Sequence, residues 1–448
     1  MNENSTQHRA EGRPGRIDRF PLDPARLPFF YGWIVLGVGT LGMLMSAPGQ
    51  TVGVSVFTDY LIEALDLSRS ALSLAYFVGT VSSALLLSVA GRVYDRYGAR
   101  TVGVASAAAL SLVLAGLTLT PAVASRTTDV LPGELVVAVS FGVIAVGFFL
   151  LRFFGQGILA LTSRNMVMEW FEKRRGMVNA ILGVSISFGF SVTPRILEYL
   201  IQGHGWQGAW RVLALVLAGF AVAVFLLYRD TPEAHGLLPD GGVEPKKRRV
   251  HPETTAVRSF TLPEARRTYT FWVFALTLFL AGLLLTAYTF HIVSIFSDAG
   301  MSRERAVTIF IPAAIVAVGV EFAASWASDF VKLKYLGMVQ LAGIILLGIA
   351  LSVLREGVPV LLAILGHGLM QGLMGLTSNV TWPRFFGREH LGAISGFAMA
   401  LTVAGTAIGP YVFSFSRDLT GSYAAAGAGC ALVGFALFLA ATRAEQPQ

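Results

Sequence analysis

GRVYDRYGAR, residues 91–100, holds four charged side chains (Arg92, Asp95, Arg96 and Arg100) in a chain that is only 14% charged and 54% hydrophobic. Charge this concentrated marks a point where the chain leaves an apolar medium. On either side lie the apolar runs 69–90 and 100–121, each of about the 20 residues that an α-helix needs to cross a bilayer. Working outward, twelve such runs can be marked, from 29–58 at one end to 422–442 at the other. A chain of this composition is membrane-embedded. The fold class that follows is an all-α membrane protein with twelve spanning helices.

Mapped onto those runs, the basic residues are one-sided. Of 34 Lys and Arg, 25 fall in the two tails and in the connections that share their side, and seven in the opposite loops, Arg69 and Arg126 among them. By the positive-inside rule both termini face the cytoplasm, and residues 91–100 form a cytoplasmic turn. The expected location is the cell (inner) membrane. The first 28 residues hold five arginines, and the first apolar run lacks a cleavage pattern, so no cleaved signal is expected. Cys430 is the sole cysteine and lies in the last run, which rules out an internal disulfide.

One long connection, 229–269, is rich in Pro, Gly and charge. It divides the chain into a tail (1–28), a six-helix bundle (29–228), the linker, a second six-helix bundle (270–442) and a short tail (443–448). The basic tetrapeptide at 246–249 reads as a topology determinant or a contact with anionic lipid rather than a nucleic-acid patch. The two halves resemble each other. Ser68/Ser302, Arg69/Arg303 and Asp95/Asp329 are each 234 residues apart, and Gly176/Gly392, Gly189/Gly405 and Pro194/Pro410 are each 216 apart. Two pseudo-symmetric sixes joined by a loop are the architecture of a transporter.

The opening decamer reads G-x-x-x-D-R-x-G-x-R through Gly91, Asp95, Arg96, Gly98 and Arg100. At this position it resembles the signature loop of the major facilitator superfamily, with Thr101 where that signature usually carries a second basic residue. The equivalent turns WFEKRRG (170–176) and FFGREHLGAISG (385–396), together with FYGWIV opening the first run, resemble the bacterial branch related to monocarboxylate and oxalate porters. The resemblance implies a secondary active transporter working by alternating access, with a carboxylate anion as solute. It also implies a cytoplasmic latch, in which the glycine permits close packing and Asp95 meets a helix N-terminus. An anion so placed contributes about 0.3–1 kcal/mol, enough to bias two states. The second copy, SWASDFVKLK from Ser325, keeps Asp329 but lacks the glycine and the adjacent arginine. Gating is therefore expected of Gly91, Asp95, Arg96, Gly98 and Arg100, with Asp329 as a weaker counterpart. The solute class is less settled. Gly49 follows Pro48 where relatives carry lysine, and Ala317 and Glu321 stand where relatives carry an Asp/Arg pair. A proton-coupled multidrug or other small-molecule exporter is the alternative.

Polar residues inside the apolar runs supply the remaining candidates. Pro48, Gly49, Gln50 and Thr51 form either a broken-helix binding face or a kinked packing seam. Arg152 costs at least about 2.5–3.5 kcal/mol at bilayer centre. It is a cavity cation for an anionic substrate or a structural donor. The family's motif places glutamine and glycine after two residues, whereas Gln156 and Gly157 come here after three. Substrate binding is expected of Arg152, Gln156, Gln50 and Thr51, and proton coupling of Glu321 and His291. His367 reads as a packing residue, and Arg195 with Glu198 as an ion pair three residues apart.

Other function classes lose ground on the same residues. None of the five lysines follows a glycine, so no phosphate-binding loop exists, and no H-E-x-x-H pattern is present. An enzyme is not expected, and no motif calls for a cofactor, a metal ion or nucleic acid. The expected partners are a small-molecule substrate, protons and membrane lipid, with the chain as a monomer.

Overall fold

The computed structural model describes residues 20–67, 69–122, 132–242 and 256–447. Ser68, Arg126 and the basic tetrapeptide at 246–249 lie outside them. Among the described residues the regular structure is helical, with no strand. Among the described residues ten helices are long and apolar enough to cross a membrane. The chain divides into two compact units, Met1–Glu172 with Ser185–Glu244, and Lys173–Val184 with Pro245–Gln448.

The first unit begins with α1 (Gly32–Met45), which ends at a 3₁₀ turn, Ala47–Gly49. The short helices α2 (Thr51–Val54) and α3 (Thr58–Leu65) follow. Then come α4 (Arg69–Leu117), α5 (Gly133–Leu151), a π-helical segment (Arg152–Leu159), α6 (Ala160–Trp170) and α7 (Arg175–Leu227). Both very long helices are interrupted by a glycine in the left-handed region, Gly98 in α4 (φ 80°) and Gly205 in α7 (φ 68°). An L-residue is disfavoured at such a φ. Each break falls between two of the apolar runs read from the sequence, and the turn at each is tighter than a loop.

The second unit holds the first residues of α7, then α8 (Leu262–Ala265), α9 (Tyr269–Asp298), α10 (Arg303–Thr308) and α11 (Phe310–Ala327). It closes with α12 (Leu333–Ser352), α13 (Val358–Phe386), α14 (Leu391–Thr420) and α15 (Ala424–Ala441). Small residues bring these helices together, as expected where lipid removes the hydrophobic drive between them. Gly348 of α12 faces α15 so closely that a Cβ would sit 2.7 Å from Gly427 O and 2.9 Å from Ala431 N. Gly348→Leu is therefore expected to destabilise this unit by about 1–3 kcal/mol, read as a lower thermal midpoint in detergent. An unchanged midpoint would show that α12 and α15 separate freely there.

The described parts of the connection 229–269 are less loose than its composition suggests. Asp240 accepts a hydrogen bond from the Glu172 amide (3.0 Å), and the Phe260 amide donates to Phe386 O (2.8 Å). Thr261 and Glu264 form a reciprocal cap at the start of α8. The Thr261 amide and hydroxyl that donate to Glu264, aided by Arg258, hold its carboxyl down to about 2. The cap's contribution is present above the usual carboxylate range, 4.5, and is lost as pH falls through about 2.

Candidate functional site

Two irregular stretches of the first unit meet around Arg152. Pro48 sits in the 3₁₀ turn that ends α1, and eight residues from Arg152 onward follow a π pattern. A π segment accommodates an extra residue within a helix, and such segments recur at functional sites. The third residue between Arg152 and Gln156, one more than the family spacing, falls inside this segment. The two stretches touch through glycines, since a Cβ on Gly49 would fall 2.8 Å from Gly155 Cα and onto Leu151 O. Gly79 likewise lets α4 lie against α5, its Cβ position being 2.7 Å from Phe149 N.

That approach carries Tyr76 of α4 to Arg152. The guanidinium lies 5.2 Å from the Tyr76 ring centroid. Arg152 is only 3% exposed, and Nη1 donates to Gly49 O (3.2 Å) and Thr51 Oγ1 (3.3 Å). Thr51 Oγ1 is in turn 2.9 Å from Tyr76 Oη. Arg152 Nε is buried and makes no hydrogen bond, and among the described residues no carboxylate pairs with this arginine. Gln50 turns back to Ser46, donating to its Oγ at 3.0 Å. Gln156 is half-buried in the π segment. Of the four expected binding residues the structure thus joins Arg152 and Thr51 and adds Tyr76, which the sequence reading missed.

The signature decamer is built around its second glycine. Asp230 occupies the space that a Cβ on Gly98 would need, and its Oδ1 accepts from the Arg100 amide (3.0 Å), capping the helix beyond the break. Arg100 points inward, donating to Phe225 O (2.6 Å) and Phe20 O (3.0 Å). Gly91 is buried, Asp95 half-buried, and Arg96 exposed over the Tyr97 ring. Asp329 is better placed than its reduced motif implied. Its Oδ1 accepts from the Gly176 amide near the start of α7 (3.0 Å), and Arg384 of α13 lies 3.7 Å away in place of the missing neighbouring arginine.

His291 is engaged on both ring nitrogens. Nε2 lies 3.0 Å from Pro410 O and 3.2 Å from Ser414 Oγ, and Nδ1 lies 3.4 Å from Tyr423 Oη. Glu321 of α11 is half-buried and has no hydrogen bond or ion pair among the described residues. His367 is buried between the Tyr288 and Phe310 rings, in keeping with packing. The Arg195–Glu198 ion pair is not formed. Glu198 instead accepts from Gln202 Nε2 at 3.1 Å, one helical turn along α7.

The sequence model of the Major Facilitator Superfamily matches residues 28–410. This chain belongs to that superfamily. Membership identifies a multi-pass membrane transporter rather than an enzyme. As a superfamily member, the chain is 23% identical over 403 residues to a probable sulfoacetate transporter, SauU, of Cupriavidus necator, covering 87% of this chain and 88% of that protein. It is 24% identical over 270 residues to MFS-type transporter 1 of Ophiocordyceps sp., covering 59% of this chain and 52% of that one, so it spans about half the length of this relative. Among solved structures, the human organic anion transporter MFSD10 superposes with a TM-score of 0.63 at 15% identity, over 93% of this chain and all of that one. Identity this low speaks for the fold alone.

Proposed function

We propose that this superfamily member is a secondary active transporter of a small organic anion, with a carboxylate as the solute class and Arg152 as its anion-binding group. The observation that carries the reading is Arg152 itself, a buried cation with an unpartnered Nε and no carboxylate beside it among the described residues. An unpaired charge at membrane depth is costly, and an anionic solute supplies the missing partner. Tyr76 and Thr51 brace the guanidinium so that its remaining donors are pre-set. The likeness to a protein named for sulfoacetate supports the same class, as does the resemblance to the monocarboxylate and oxalate branch.

In this reading the ten apolar helices include two that are broken at Gly98 and Gly205, and dividing each there gives twelve spans. Both termini then lie in the cytoplasm, and the chain works as a monomer in the inner membrane. Transport is a symport with protons, and Glu321 suits the proton better than His291, whose two nitrogens are already bonded. Uptake into reconstituted vesicles tests the proposal, using a panel of monocarboxylates, sulfonates and cationic drugs under an imposed pH gradient. Saturable, gradient-driven anion uptake is the expected result. Movement of the drugs alone would establish the multidrug alternative.

Tyr76 separates recognition from scaffolding within the site. Tyr76→Phe keeps the ring beneath Arg152 and loses one hydrogen bond, a change of about 0.5–1.5 kcal/mol. Tyr76→Leu also loses a cation–π contact that contributes about 0.5–2 kcal/mol. The KM for the solute is expected to rise in both, and further in the leucine variant. Equal KM values in parent and both variants would remove Tyr76 from the site.

A further inference from the structure

Three helices of the second unit meet along a seam with a regular step. The start of α7 supplies Gly176, Asn179 and Gly183, while α11 and the turn after it supply Asp329, Ser325 and Glu321, and α13 supplies Arg384, Asn379 and Gly375. At the first level Asp329 accepts from the Gly176 amide and faces Arg384. One turn on, Asn379 Nδ2 donates to Asn179 Oδ1 (2.7 Å), and Asn179 Nδ2 donates to Ser325 Oγ (3.1 Å). The third level has the same close fit and no polar partner. A Cβ on Gly183 would fall on Glu321 Oε1, and one on Gly375 would lie 3.3 Å from the same atom.

No charge faces this carboxyl from the helices around it. Along these three helices the ionisable groups flanking this level are Asp329 just past the end of α11, Arg175 two turns back on α7, and Arg384 and His367 more than two turns either way on α13. At the far end of α11, Arg305 of α10 is bound to Glu356. An ionised carboxylate set against two glycines in a spanning helix, with no cation beside it, is disfavoured. A metal cation would need several oxygen ligands, and this level offers one carboxyl.

We propose that Glu321 is a proton-binding site that operates this seam. Protonated, it packs against Gly183 and Gly375 and holds residues 173–184 on α11. When it releases its proton to water, the carboxylate must be hydrated, and the segment lifts away. This deepens the proton-coupled reading given above by naming where the proton acts and what it moves.

The sign follows from linkage. The closed seam binds one more proton than the open one, so closure weakens as pH rises, by up to about tenfold per pH unit across the window in which the carboxyl ionises. Hydrogen–deuterium exchange of residues 173–184, followed by mass spectrometry on the full chain in detergent and corrected for intrinsic exchange, reads this directly. Exchange in the parent should climb with pH, whereas Glu321→Gln should stay protected throughout. Gly183→Ala, which drives a methyl into the carboxyl, should raise exchange at every pH. In the parent, an infrared band of a protonated carboxyl should vanish over the same range. The proposal is overturned if exchange in the parent is independent of pH, if the Gln variant follows the parent, if the band titrates elsewhere, or if sodium at fixed pH restores protection. Since none of these measurements involves a solute, their failure would leave the carrier reading standing on its uptake assay.

Discussion

Arg152→Gln is expected to lower anion uptake by at least about 30-fold. Truncating one partner of a buried, hydrogen-bonded charge pair costs about 2–5 kcal/mol, and each 1.4 kcal/mol is about a factor of ten. Arg152→Lys keeps the charge but loses the planar fork that meets a carboxylate with two bonds, so its loss should be smaller. Both variants forgo contacts to Gly49 O and Thr51 Oγ1, and monodispersity in detergent controls for that. Two well-folded variants that take up the anion like the parent would place recognition elsewhere. Misfolding of both would make Arg152 a strut of the unit instead.

The second large effect is expected at Asp329. Asp329 is 8% exposed and caps α7, and Arg384, 2% exposed, lies 3.7 Å from its carboxylate. Asp329→Ala leaves a buried guanidinium facing methyl, and removing one member of a buried pair costs about 3–5 kcal/mol. Asp329→Asn retains an acceptor for the Gly176 amide and should cost less. Thermal unfolding in detergent would rank them as parent, Asn, then Ala. A melting curve for Asp329→Ala that overlays the parent would show that the cap bears no load.

The spans were legible because each is a long apolar run bounded by charge, and the breaks at Gly98 and Gly205 fall where two runs abut. Arg152 was legible for the opposite reason, as a charge where none is affordable to solvent-free packing. Tyr76 was not, because a tyrosine within a spanning run is as readily an interfacial anchor. Only the Gly79 contact, a tertiary fact, brings it to the arginine. Asn179 and Asn379 carried a signal that was passed over, since asparagine inside an apolar helix asks for a partner. Arg384 could not be tied to Asp329 from sequence. The two are 55 residues apart and meet only because α11 and α13 pack together.

The π segment also has an evolutionary consequence. Adding one residue to a regular α-helix rotates everything beyond it by about 100°, since a turn takes 3.6 residues, and would misdirect a whole packed face. Here the π turns are confined to Arg152–Leu159 and α6 follows as a regular α-helix, so a residue gained within that stretch can be taken up locally. A single codon gained or lost in that stretch is thus the smallest heritable change that re-aims the arginine without rebuilding the bundle. Deleting Phe154 would run the step backwards, and on the proposed role of Arg152 descendants of one scaffold would diverge in solute preference by that route.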